Sequence, residues 1–312
     1  MIGCIQAEKF HLGYTLGSGQ VFRWGRDEDG WWKGITFGTA FHLRQTGDQI
    51  EYSASSVEIM TYAGRMKIEE FLRWYLRIDE YPRLRMPKGD EYVRKARKLL
   101  RGFRFARQDP FECIISYVLS VQAHMNLTKE RIQFLARILG LEIRFLNERF
   151  WAFPEPHILA QLNGKYYRSQ RFGWRSERVA ESAEQVAEAL GAGNGQPGLH
   201  KWQEIVDGLK ALSGSGVGLK VGKCIDLFSL ERLDAVPVDT WVKKFAEDWY
   251  GVKGSDAKVC EWGEKRGGKQ AGYINEYLFA YYRELNGPQI HDRVISFCES
   301  DLPSPVLPFD RG

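Results

Sequence analysis

No two cysteines in this sequence stand close enough to form a CxxC pair. The five present, Cys4, Cys113, Cys224, Cys260 and Cys298, are odd in number and widely spaced. A disulfide framework, a zinc site and a cysteine-ligated iron–sulfur cluster are therefore unsupported. Cys113 falls inside the apolar run FECIISYVL and is expected in the core. Long hydrophobic runs are missing too: none approaches a membrane span, and the N-terminus lacks a charged-then-apolar signal pattern. There is no internal repeat and no low-complexity tail. The expectation is a reduced, intracellular, soluble protein with no membrane partner.

What is present is aromatic and globular. Hydrophobic residues make up 44% of the 312 and aromatics 13%, which is ample for one large domain or two packed ones. A net charge of +4 is by itself weak evidence for nucleic acid. The charges cluster, however. RKARKLLRGFRFARQD (Arg94 to Asp109) and KYYRSQRFGWRSER (Lys165 to Arg178) are locally basic and interleaved with aromatics. Two readings stand: solvated faces, or a surface that tracks phosphates and stacks bases.

Up to about residue 60 the pattern is that of strands. QVFRWG, WWKGITF, AFHLRQT and DQIEYSA are short, aromatic or β-branched, and separated by turns such as DEDG and TGD. They predict an antiparallel meander. From Glu69 the spacing turns helical, in EEFLRWYLRIDEY and EYVRKARKLLRGF. From Asp109 nearly everything is expected to be helical. Pro110 suits a first helical position, and Gly140 suits the cap that ends NLTKERIQFLARILG. ERVAESAEQVAEALG is a further amphipathic helix, followed by the loop GAGNGQPG.

The most informative stretch is SGSGVGLKVGKC, Ser213 to Cys224. WQEIVDGLKAL before it and LKVGKCIDLFSL after it both read as helices. A short glycine-rich hairpin between helices turns backbone N–H groups and a helix N-terminus to one side, which suits a phosphate; an ordinary helical hairpin without a ligand is the alternative. Gly214, Gly216, Val217 and Gly218 form that hairpin. Lys220 follows in the first helical turn. The helix dipole and partial burial disfavour the charged form of a lysine so placed, and a neutral amine is a nucleophile toward an electrophilic carbon. Further on, Asp239 in AVPVDTWVKKF fits a helix N-cap. Beside the hairpin, the lysine and the carboxylate make a more specific set than any of the three alone.

GVGLKVGKC with AVPVDTW resembles the helix-hairpin-helix, Gly/Pro-Asp superfamily of DNA base-excision glycosylases, and in particular the 8-oxoguanine DNA glycosylases. YTLGSGQVFRW, RQDPFECIISYVLS, RFGWR and AGYINEYLF are similar to further motifs of that family, in order along nearly the whole chain. The resemblance implies an α+β fold: an N-terminal twisted antiparallel β domain over 1–105, packed on a mostly helical glycosylase domain over 106–312. It implies duplex DNA with oxidised guanine as partner, a monomer, and no cofactor. Such enzymes flip the damaged nucleotide into a pocket. Lys220 would attack the sugar C1′ and form a Schiff base, with Lys223 as its rival, and Asp239 would stabilise the cationic sugar. The Gly19 carbonyl would accept the N7–H that distinguishes 8-oxoguanine from guanine. Cys224 and Phe279 would sandwich the base, and Asn275 would read its Watson–Crick edge. Trp174 would wedge into the stack beside Arg175. The backbone carbonyls of Leu212, Gly214 and Val217 would hold a monovalent cation.

The sequence departs from the family at three places. Asn275 replaces a glutamine, Gln122 an asparagine next to the estranged base, and Leu127 an arginine that reads the orphan cytosine. These changes leave the chemistry intact and bear on substrate preference. Two alternatives compete: a glycosylase of the same fold acting on another lesion such as an alkylated purine, or a non-catalytic DNA-binding module. Lys220 argues against the first, because an alkylated base leaves without an amine nucleophile; the intact Lys220/Asp239 pair argues against the second. Localisation would be nucleoid-associated in a prokaryote and nuclear in a eukaryote.

Overall fold

The computed structural model describes residues 1–287 except Tyr81, 83–88, 192–195 and Ser213. Cys298, the first hairpin residue and half of the GAGNGQPG loop thus lie outside the described residues. The N-terminal part is built on β1 (Ile2–Gln6), α1 (Leu12–Gly17), β2 (Trp24–Arg26), β3 (Trp32–Thr36), β4 (Thr39–Thr46) and β5 (Gln49–Ala54). The sheet is antiparallel, in the order β1-β5-β4-β3-β2. The meander expected from the sequence is β2 to β5. β1, which the pattern does not announce, is an edge strand with only Ile5 buried; one buried residue leaves no alternation to read. The strand expected over QVFRWG shrinks to Trp24–Arg26, because Ser18 and Gln20 bond to the last helix instead of to a strand.

The hairpin β6 (Glu58–Thr61) and β7 (Gly64–Lys67) leads into α2 (Ile68–Leu76) and α3 (Glu91–Leu99). α4 (Pro110–Ser120) begins as its sequence dictates, with Pro110 at the first position and Asp109 accepting from the Glu112 amide at 3.0 Å. Cys113 is fully buried in it. α5 (Met125–Leu139) follows, ending at Gly140. That glycine is extended rather than left-handed; what requires it is the Ala152 carbonyl, which would lie 1.8 Å from a Cβ. The helical run expected after Asp109 is then interrupted by a hairpin, β8 (Glu142–Phe145) and β9 (Glu148–Trp151). Leu146 and Asn147 both take positive φ at its turn, the geometry that suits a two-residue hairpin loop. Phe150 buries against Ile35 and Ala40 of the first sheet.

The remaining chain is helical: α6 (Pro156–Leu159), α7 (Gly164–Ser169), α8 (Ser176–Leu190), α9 (Leu199–Ala211), α10 (Leu219–Ser229), α11 (Thr240–Tyr250), α12 (Asp256–Gly267) and α13 (Ala271–Asn286). α4 is the central helix and packs on α5, α8 and α10, while α13 packs on α3, α11 and α12. One large apolar core joins α4, α8, α9 and α10, a second lies under the N-terminal sheet, and a third holds α11 to α13. Among the described residues no helix is long and apolar enough to cross a membrane.

The first basic segment divides. Arg94, Lys98 and Arg101 are exposed. Arg104 and Arg107 are buried, which corrects both readings of them as surface charge. Arg107 and Arg77 converge on Glu231 at 2.9 and 2.7 Å and also reach Glu80. Buried guanidinium groups need such partners, and sequence spacing cannot reveal that Glu231 supplies them.

Candidate active site

Lys220 occupies the second position of α10, behind Gly218 as an extended N-cap. Its Nζ donates to the Ser120 hydroxyl at 3.0 Å and lies 5.2 Å from the centre of the Tyr117 ring. Ser120 is the last residue of α4, so the central helix delivers both contacts. Lys223, three residues on, faces α12 and is ion-paired to Glu264. Burial pushes Lys223 down, but the bond and charge of Glu264 outweigh it and hold the group above its ordinary value. A lysine kept cationic in this way is a poor nucleophile.

Asp239 is the N-cap of α11. A single oxygen, Oδ1, accepts from both the Trp241 and Val242 amides, each at 2.9 Å, which leaves Oδ2 outside the cap. Burial raises the carboxyl above its usual range, opposed by those two bonds and by the charges of Lys220 and Arg283. The same neighbourhood contains Cys224, one turn beyond Lys220. Burial pushes its thiol up to about 12, so it stays a neutral thiol. Phe279 is buried, with the Arg283 guanidinium 5.4 Å from its ring centre.

The hairpin before Lys220 is folded onto α8. Gly214 and Gly216 take φ of +100° and +77°. A Cβ on Gly216 would sit 3.0 Å from the Arg178 side chain, so glycine is needed there for conformation and closeness together. Ser215 pins the loop. Its hydroxyl donates to the Leu209 carbonyl at 2.7 Å and accepts from the Val217 amide at 3.2 Å. Its carbonyl accepts from Ser182 at 2.6 Å. Among the described residues no hydrogen bond engages the carbonyls of Leu212, Gly214 and Val217.

Gln122 and Leu127 follow the end of α4 along the chain, and Trp174 and Arg175 form the turn that leads into α8. Arg175 is buried and donates through Nε to the Val121 carbonyl at 2.9 Å, tying the Gly173–Arg175 turn to the residue before Gln122. Trp174 is 42% exposed, flanked by Arg175 and Arg178. Gln122 is exposed with φ +50°, and Leu127 is 40% exposed. An exposed tryptophan between two arginines is a ready stacking surface.

Four residues here were not legible as site residues in the sequence: Ser120, Gln20, Glu276 and Arg283. Gln20 and Glu276 are buried and bonded to each other, and the Asn275 amide, also buried, lies 3.4 Å from the same carboxyl. Burial and the neighbouring Asp239 push Glu276 up to about 8. The only signal was an acidic residue amid the apolar positions of AGYINEYLF, which helical spacing alone cannot assign to a pocket. Among the described residues no cluster of His, Cys, Asp and Glu could hold a metal ion.

Residues 4–114 match the family model for the 8-oxoguanine DNA glycosylase N-terminal domain. The N-glycosylase/DNA lyase OGG1 of Arabidopsis thaliana is 27% identical over 279 residues, covering 88% of this chain and 74% of that protein. The 8-oxoguanine glycosylase/lyase of Clostridium acetobutylicum, solved with double-stranded DNA containing cytosine opposite 8-oxoguanine, is 25% identical with a TM-score of 0.74. That alignment covers 92% of this chain and 98% of the other. The structure of MBOgg1 with a low-affinity DNA ligand, 24% identical with a TM-score of 0.77 over 91% of this chain and 96% of that one, shares the fold. A lysine whose charge is felt by an aspartate, behind a glycine hairpin, thus accompanies a similarity to 8-oxoguanine glycosylase/lyases that runs along most of the chain.

Proposed function

We propose that this protein is a bifunctional glycosylase/AP lyase that removes 8-oxoguanine from duplex DNA and nicks the strand. Lys220 is the nucleophile. Its amine attacks C1′, the glycosidic bond breaks, and the electron pair leaves with the base, which takes up a proton. The sugar ring then opens to a Schiff base with Lys220. Loss of a proton from C2′ expels the 3′-phosphate. Asp239 stabilises the positive charge that develops on the sugar, as a carboxylate does in glycoside hydrolysis. The hairpin grips the backbone phosphate, and Trp174 fills the gap left by the flipped nucleotide. Gly19, Cys224, Phe279 and Asn275 receive the base.

The observation that carries this reading is the contrast between the two lysines. Lys220 meets a neutral hydroxyl beside Asp239, whereas Lys223 is neutralised by Glu264 on another helix. The test is incubation with an 8-oxoguanine duplex and borohydride. Lys220→Gln abolishes base release and the covalent protein–DNA band while duplex binding persists; Lys223→Gln retains the band. A band that survives the first substitution and is lost in the second reverses the assignment.

A further inference from the structure

α13 carries Glu276, Phe279 and Arg283 at spacings of three and four, which places them along one side of the helix. That side meets the Ser18–Gln20 segment, more than two hundred residues away in sequence. Arg283 Nη1 donates to the Ser18 carbonyl at 2.6 Å, and the Glu276 carboxyl accepts from Gln20 Nε2. From the opposite side the Gln20 carbonyl accepts from Gln108 Nε2 at 2.7 Å and from the Tyr117 hydroxyl at 3.2 Å. Both neighbours of Gly19 are therefore held. Among the described residues no hydrogen-bond donor is assigned to the Gly19 carbonyl itself.

The glycine and its clamp fit each other. Gly19 has φ +89°, and a Cβ there would fall 2.6 Å from Arg283 Nη1 and 3.1 Å from Met125 Cε. Glu276 is only 2% exposed. A carboxyl buried that deeply is retained at a free-energy cost unless it is bonded; here its partners are the Gln20 and Asn275 amides.

We propose that Glu276 and Arg283 are positioning residues that hold the Gly19 carbonyl where it separates oxidised from unmodified guanine. The inference rests on the reading of the previous section. A carbonyl accepts from the N7–H of 8-oxoguanine, but it faces a lone pair on N7 of guanine. That repulsion discriminates only if the carbonyl cannot retreat, and a segment held on both sides of Gly19 cannot easily do so.

The experiment compares equilibrium binding in the Lys220→Gln background, where no base is released. Three duplexes are used: one with 8-oxoguanine, one with guanine at the same position, and one with a tetrahydrofuran abasic analogue. Adding Glu276→Ala or Arg283→Met lowers the ratio of 8-oxoguanine to guanine affinity by about fivefold or more, the value of one hydrogen bond. Affinity for the abasic analogue moves less than twofold. Glu276→Gln restores most of the ratio, because its amide oxygen still accepts from Gln20. An unchanged ratio in both disruptive variants overturns the proposal, as does a loss spread equally over all three duplexes. If a variant does not fold, Arg283→Lys and Gln20→Leu give the same readout. A Lys220→Gln parent with no preference for 8-oxoguanine would instead overturn the functional reading beneath.

Discussion

Lys220 donates to the hydroxyl of Ser120 at 3.0 Å, joining the first turn of α10 to the last residue of α4. The bond fixes where the amine points, and does so from a neutral partner. A net hydrogen bond of this kind is worth about 0.5–1.5 kcal/mol, or about 2- to 12-fold in rate. Ser120→Ala should therefore slow single-turnover release of 8-oxoguanine by about that factor with little change in melting temperature. A rate equal to wild type would show that Ser120 does not orient the amine.

Asp239→Asn should separate cap from charge. Asparagine caps helices as well as aspartate does, so thermal stability should change little. The single-turnover rate should fall by at least about two orders of magnitude, comparable with removing one preorganised electrostatic group. A collapsed fold would favour a purely structural cap. The wild-type pH profile carries a second check. Burial raises the Asp239 carboxyl above the ordinary 3.8, so the neutral, inactive form persists to higher pH than for a free aspartate. The acid limb of the rate should lie above pH 3.8; a limb at or below it contradicts the burial of this group in solution.

Opposite-base preference should be weak. Leu127 is exposed and has no donor for an orphan cytosine. Arg131, one turn later on α5, is turned inward: its Nη2 donates to the Arg171 carbonyl at 3.0 Å and the group is buried. A good base-edge contact is worth about 1–3 kcal/mol of discrimination, roughly 5- to 150-fold. Single-turnover rates opposite cytosine, adenine, guanine and thymine should thus agree within about tenfold, and Leu127→Arg should raise the preference for cytosine. A wild-type preference near a hundredfold for cytosine over adenine would mean that another donor, with Arg131 the first candidate, takes the place of the missing arginine.

Glu276 should leave a signature in stability. Its folded value, pushed up to about 8, exceeds the ordinary 4.5. Between those values the folded protein binds the proton and the unfolded chain does not, so stability falls as pH rises. The stabilisation is fully present below about 4.5 and is lost as pH passes through about 8. Glu276→Gln cannot titrate. The melting temperature of wild type relative to Glu276→Gln should decline from pH 5 to pH 8, and a difference independent of pH would place the carboxyl in a solvated site.

The contrast between what was legible and what was not has a physical basis. Local rules reached far: alternation found β2 to β5, apolar spacing found most helices, and Asp109–Pro110 and Asp239 declared helix starts through capping chemistry confined to four residues. The hairpin glycines and Lys220 were legible for the same reason, since positive φ and a cation in a first helical turn are anomalies visible within one short segment. The β8–β9 hairpin was missed because its turn, Leu146–Asn147, lacks the glycine that usually marks such geometry, and β1 because an edge strand need bury only one residue. Tertiary structure alone decided which charges are surface and which are core. Arg104 and Arg107 look no different in sequence from Arg94 and Arg101, yet the first pair is buried, and only the fold brings Glu231 to Arg107. It alone gave the two lysines their different partners, because Glu264 and Ser120 reach α10 from different helices. It alone joined Ser18 and Gln20 to Arg283 and Glu276. Periodicity reports which side of an element is covered; what covers it is set by chain segments hundreds of residues away, and the chemistry of this pocket lies in those distant partners.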